Sequence, residues 1–204
     1  LRRRTPHVPR LRRLGMLPSS PGCVHLSVAG GCGGTTWGLQ HARDALEAGK
    51  HVVWICAEIP DSNRFAQMFE NVSPAAVSKL HLSAVGDNIE IGIDSGIGLL
   101  DALKNIELVV VDDWTAKTGK PSSDLRKSIQ NLIDVCQKSQ VRLLVISSAY
   151  EDASGSGWKS RGGLKDCEIW FLHRCESEGR IRELHMNETV SKFTITDEGF
   201  TPRT

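Results

Sequence analysis

The stretch Ala29-Gly30-Gly31-Cys32-Gly33-Gly34-Thr35-Thr36 has the composition of a phosphate-binding turn. A glycine-rich turn between an apolar strand and a helix aims several backbone N–H groups and the positive end of the helix at one point, as a di- or triphosphate requires. Against the pattern GxxxxGK[ST], Ala29 takes the first glycine, Gly34 the second, Thr35 the lysine and Thr36 the magnesium-reaching hydroxyl. No Lys or Arg lies between Arg13 and Arg43, so no register restores the lysine. Losing one charge-assisted hydrogen bond, about 1.5–3 kcal/mol, lowers the expected nucleotide affinity by about one to two decades. Gly30, Gly31, Cys32, Gly33, Gly34, Thr35 and Thr36 are the candidate nucleotide-binding residues, and a glycine turn that binds nothing is the competing reading.

Two carboxylates follow apolar runs. Glu58 comes just after HVVWICA and is placed to orient water on a terminal phosphate, with helix N-terminal charge as the plainer alternative. Asp112 follows Leu108-Val109-Val110-Val111, a run in which the acid holds a magnesium shell together with Thr36. Glu58 is thus the candidate catalytic residue, and Thr36 and Asp112 are the candidate metal ligands for an ATP–Mg2+ site.

These residues need a sheet to position them. Apolar, β-branched runs at 24–29, 51–57, 79–84, 108–113 and 141–149 alternate with helical stretches at 35–48, 62–70, 98–105 and 123–138, the pattern of an α/β domain with a mostly parallel sheet. The last helix is the clearest, with Leu125, Ile129, Leu132, Ile133 and Cys136 on one stripe behind Ser122-Ser123-Asp124 as start signals. After Gly163, the runs EIWFLHR, GRIRELHM and KFTITDEGF read as an antiparallel meander closing one edge. Two Gly-, Ser- and Lys-rich loops, 113–122 and 150–163, follow strand ends, where open α/β sheets bind ligands.

Charge narrows the partners. Of 25 Lys and Arg, six are Arg within residues 1–13, so the remainder carries 24 acids against 19 bases and lacks the broad basic field of a constitutive duplex-DNA binder. Residues 1–15 are excluded from the fold as a basic tail, a transit-type segment or non-native sequence, leaving 16–204 as one domain. No apolar window reaches a membrane span, and no membrane partner is expected. The six Cys show no CxxC pair and fit reduced thiols in a cytoplasmic setting. Cys167 and Cys175 are too loosely spaced for a zinc half-site, and His173 and His185 read as sheet residues.

Taken together, the glycine loop, Glu58, Arg64, LVVVDDW, LLVISSA and the terminal stretch from Lys159 to Phe200 resemble the RecA/RadA family of recombinase ATPases, in particular its short paralogues of the RadB type. The most specific part is Gly162-Gly163, a strand, an Arg-rich hairpin and the F-x-I-T-[DE]-[DE]-G ending. The resemblance implies a RecA-like P-loop core, ATP and Mg2+ as cofactors, and a role in DNA recombination and repair. It also implies that the two loops face single-stranded DNA, through Lys117, Lys120, Trp158, Lys159 and Arg161. Thr35 in place of the lysine, and Ser147-Ser148 in place of the usual Asn-Gln pair, depart from the family pattern. These departures favour a paralogue with weak or absent hydrolysis that assists or regulates a recombinase, or self-associates, over a filament-forming enzyme. The alternatives are an interaction module with a decayed phosphate loop and a Rossmann-type dinucleotide enzyme, the latter suggested by Gly31-Cys32-Gly33 followed by Glu58.

Overall fold

The computed structural model describes residues 17, 21–115, 119–152 and 157–203; the Arg-rich segment 1–15 and Lys117 lie outside them. The chain runs β1 (Cys23–Val28), α1 (Gly34–Glu47), β2 (His51–Cys56), α2 (Ser62–Phe69), α3 (Pro74–Val77), β3 (Leu80–Ala84), α4 (Ile89–Ala102), β4 (Ile106–Asp112), α5 (Ser123–Lys138) and β5 (Arg142–Ser148). The short β6 (Tyr150–Glu151) and β7 (Trp158–Lys159) pair with each other, and β8 (Cys167–Arg174), β9 (Ile181–Met186), β10 (Thr189–Thr196) and β11 (Gly199–Pro202) complete the main sheet. Its order is β3-β2-β4-β5-β1-β8-β9-β10-β11, parallel from β3 through β8 and antiparallel beyond.

The five runs read from sequence all form parallel strands; β1, β2, β4 and β5 bury both faces, whereas β3, at the edge, is only partly covered. Trp37, Leu39 and Leu46 of α1 pack on one face with Trp54, Leu144, Leu172 and Phe193, while Ile93 of α4 and Ile129, Leu132 and Ile133 of α5 cover the other. Helix α5 spans the expected residues, its first turn capped by the Ser122 hydroxyl, which accepts from the Leu125 amide at 3.0 Å.

Three expectations need correction. Helix α4 starts at Ile89 rather than at 98, because the β-branched IEIGID segment and its glycines obscure helical spacing. Those glycines are what the helix needs: a Cβ at Gly92 would sit 2.6 Å from Ile55 Cγ2, and one at Gly96 would sit 2.9 Å from Ile55 Cδ1. The third terminal run is two strands, β10 and β11, divided at Asp197-Glu198. Finally, two thiols read as reduced are joined: Cys23 and Cys167 form a disulfide, since the parallel register of β1 and β8 places them opposite each other with Cα atoms 4.6 Å apart. Their separation of 144 residues left no signal in the sequence.

Candidate functional site

The glycine-rich segment is the turn between the end of β1 and the start of α1. Gly31 and Gly33 take positive φ values of 67° and 92°. Gly33 stands at the helix start without a capping side chain, and the first turn holds no acid. The first intrahelical bond is donated by the Trp37 amide to the Gly33 carbonyl at 2.9 Å, so the amides of Gly34, Thr35 and Thr36 precede the hydrogen-bonded ladder. Substituting Gly33 would place a Cβ 2.8 Å from Ile195 Cδ1, whereas nothing lies within 4 Å of one at Gly30. The loop lines a recess of about 270 Å3 with Asp112, Asp113, Ser147 and Ser148.

Thr35, Thr36 and Asp112 also line a larger cleft of about 760 Å3, which Glu58 enters from the end of β2. Strands β2 and β4 are paired with Cys56 opposite Asp112, so the two carboxylates come from neighbouring strand ends. Asp112 is buried, and desolvation pushes its carboxyl up to about 6 even though the Thr35 hydroxyl hydrogen-bonds it. Glu58 is exposed. Among the described residues acids dominate the cleft: Glu58, Asp61, Asp87, Glu90, Asp112 and Asp113 face Arg64 and Lys120. A bare polyphosphate is repelled there, whereas a hard divalent cation finds carboxylate and hydroxyl oxygens, so Thr36 and Asp112 suit Mg2+.

Arg64 is more deeply involved than its position in the sequence indicated. Its Nε donates to Thr36 Oγ1 at 3.0 Å, and its terminal nitrogens donate to the carbonyls of Asp197 at 2.9 Å and Thr196 at 2.8 Å. The β10–β11 turn is thereby fastened beside the glycine loop. Gln40 of α1 adds a reciprocal pair with Phe200, accepting from its amide at 2.7 Å and donating to its carbonyl at 3.0 Å. Ile195 and Phe200 lie directly over Gly33. The F-x-I-T-D-E-G ending therefore acts as a buttress for the turn at the start of α1.

The candidate DNA residues divide. Lys120 and Arg161 line one cavity of about 420 Å3 with Arg126 and Tyr150, so loops 113–122 and 150–163 do meet at one end of the sheet. Arg161 is already engaged, its guanidinium 4.9 Å above the Tyr150 ring and donating to the Gly119 carbonyl at 2.9 Å. Tyr150 thus anchors the loop. Lys159 is exposed, while Trp158 does not line this cavity and stacks on His173, centroids 5.9 Å apart. Arg126 went unnoticed in the sequence because nothing distinguishes it from an ordinary exposed helix residue. The buried pair of His25 Nε2 and Ser147 Oγ, 2.7 Å apart, also escaped notice, since strands β1 and β5 are distant in sequence.

A scan against protein-family models finds no match, and no curated protein is significantly similar. Among solved structures, the chain superposes with a TM-score of 0.71 on one described as "Crystal structure of the RadB recombinase", 21% identical, covering 89% of this chain and 90% of that one. The strand order is not the 3-2-1-4-5-6 of dinucleotide-binding folds, which removes the topological support for a Rossmann enzyme. The protein has a RecA/RadB-like fold, a mixed α/β architecture with a large, mostly parallel sheet extended by antiparallel strands.

Proposed function

We propose that this chain is a RadB-like accessory of DNA recombination that binds Mg-ATP weakly at Gly30–Thr36 and turns it over slowly or not at all. The observation that carries this reading is the uncapped start of α1 behind a two-glycine positive-φ turn, beside a hydroxyl and a carboxylate suited to magnesium. The amides of Gly34, Thr35 and Thr36 bind phosphate oxygens, Thr36 and Asp112 hold the cation, and Glu58 orients water. Bound Mg2+ supplies the positive charge that the acidic cleft lacks. Without a lysine at position 35, nothing in the loop itself offsets charge on the outer phosphates, which accounts for weak binding.

Calorimetry at millimolar Mg-ATP tests the site: weak saturable heat is expected, and silence would refute it. Glu58→Gln is expected to abolish any turnover with binding nearly unchanged; equal turnover by wild type and variant removes the catalytic assignment.

Single-stranded DNA contact belongs to Lys117, Lys120, Trp158, Lys159 and Arg161. Binding is expected to be weak and salt-sensitive. In protein starting at Met16, Lys159→Ala/Arg161→Ala should lose most of it, as fluorescence anisotropy would read.

The interaction-module reading is favoured by one observation: the Thr35 and Thr36 hydroxyls are both hydrogen-bonded within the protein, to Asp112 and Arg64. It predicts no nucleotide response at any concentration.

A further inference from the structure

The antiparallel part of the sheet carries polar side chains that the nucleotide and DNA reading leaves unused. Leu172, Leu184 and Phe193 face the α1 core, so the alternate residues of β8, β9 and β10 project from the opposite face. There His173 stands directly opposite Glu183 in the β8–β9 register, and His185 lies two residues further along β9 on the same side. One ligand atom from each of the three lies within 4.8 Å of the others. The two imidazole centroids are 4.6 Å apart.

The surrounding contacts prepare these atoms as donors. His173 Nδ1 lies 2.9 Å from the Arg174 carbonyl, to which it donates, leaving Nε2 with its lone pair. Lys192 of β10 holds Glu183 Oε1 at 3.2 Å, while Oε2 faces His185 Nε2 at 3.6 Å, beyond hydrogen-bonding reach. That His185 nitrogen is shielded from solvent and has no hydrogen-bond partner. Trp158 walls the other side through its stack on His173.

We propose that His173, Glu183 and His185 form a site for a late first-row divalent transition metal, of which zinc is the best match. Two imidazoles and one carboxylate are the ligand types such ions take, and three protein ligands leave a fourth tetrahedral position for water or an external donor. Bonds of about 2.0–2.2 Å put tetrahedral donors roughly 3.3 Å apart, so the present group closes on an ion by side-chain rotation, with no strand movement. The ion competes with the partly exposed contacts of Glu183 to Lys192 and His185, surface pairs that contribute little by themselves. Imidazole donors disfavour Mg2+ and Ca2+, so this site is chemically separate from Thr36 and Asp112. Because His173 carries Trp158, the bound ion also fixes one end of loop 150–163.

The test titrates the full chain, freed of metal with a chelator, with Zn2+ by calorimetry and with Co2+ by visible absorption, in excess Mg2+. One saturable ion per chain is expected, with a Co2+ spectrum of imidazole and carboxylate ligation that Zn2+ bleaches. His185→Gln and Glu183→Gln should each weaken binding tenfold or more, by about 1.4 kcal/mol at least. His51→Gln/His81→Gln, which alters the other histidine pair, should leave it unchanged. No saturable binding below about 100 µM Zn2+, or equal binding by wild type and both site variants, overturns the proposal. Circular dichroism of the metal-free variants establishes that a loss is not unfolding.

Discussion

Thr35, which the proposed reading aligns with the lysine of a phosphate loop, bonds the buried Asp112 through its hydroxyl. That bond supports the carboxylate against a desolvation penalty without supplying positive charge. Thr35→Lys should therefore do two things: place an ammonium beside Asp112 and reach the outer phosphates. ATP affinity is expected to rise about tenfold or more, and more for ATP than for ADP, as calorimetry would read. An unchanged affinity with the fold intact would mean that the loop lacks phosphate-binding geometry, and the interaction-module reading would replace the nucleotide one. The sequence aligned position 35 with the lysine of a phosphate loop. Its partnership with Asp112 was not legible there, because a β4 strand end and an α1 first turn meet only when the sheet is assembled.

At the scale of elements, the β10–β11 turn determines the shape of the turn before α1. Gly199 has φ +116°, and a Cβ there would sit 2.4 Å from Gln40 Oε1, the atom that accepts from the Phe200 amide. Gly199→Ala is expected to cost about 2–4 kcal/mol, combining backbone strain with loss of the reciprocal Gln40 bonds. Gly86→Ala is the control: φ is +59° but the space is open, so about 1–2 kcal/mol is expected. Urea denaturation measures both. Nucleotide binding should weaken in the first variant, because Ile195 and Phe200 lie on Gly33. The glycine at 162 has a similar origin: a Cβ there, at φ +104°, would lie 2.4 Å from the ring of buried Trp114. These glycines were visible as a motif in sequence; the side chains that demand them were not.

For the whole molecule, three buried titrating groups shape acid stability. Burial lowers His25 to about 4; burial, then the charges of Arg142 and Arg43, lower His41 to about 3. Both stay neutral in the fold but protonate in the unfolded chain below about 6.5, so the stability they confer at neutral pH is lost as pH falls from there to about 4 and about 3. Asp112 acts with the opposite sign: raised to about 6 mainly by burial, it takes up a proton in the fold first, so its contribution is full below about 4 and lost as pH rises through 6. From these three groups, between pH 6 and 4 the unfolded state binds about one more proton than the fold, which lowers stability by about 1.4 kcal/mol per pH unit on acidification; His81 and Glu183, both lowered, add to the fall. Asp112→Asn removes the opposing proton, and the slope should steepen by about 1.4 kcal/mol per unit in metal-free buffer. Chemical denaturation across that range checks both slopes, and an unaltered slope in the variant would place the Asp112 titration elsewhere.

What the sequence determined by itself was local or periodic: five parallel strands from continuous apolar runs, α5 from its stripe and cap, and the glycine turn from its composition. Such signals arise within a few residues, where backbone sterics and one-sided burial act directly. The N-terminal half of α4 escaped because its glycines, needed for close approach to Ile55, weaken the helical signal they serve. Only tertiary structure joined Cys23 to Cys167, set Arg64 against Thr36, held Arg161 over Tyr150 and gathered His173, Glu183 and His185. The disulfide depends on which strands become neighbours in the sheet, since neighbours in a parallel sheet with crossovers are separated by long stretches of chain, whereas the Arg64 contact follows from α2 lying beside α1, the Arg161 contact from the path of its loop, and the histidine cluster from the β8–β9 register. Register between such strands is chosen by the burial of the whole core, so the chemistry at their ends comes into being only with the complete fold.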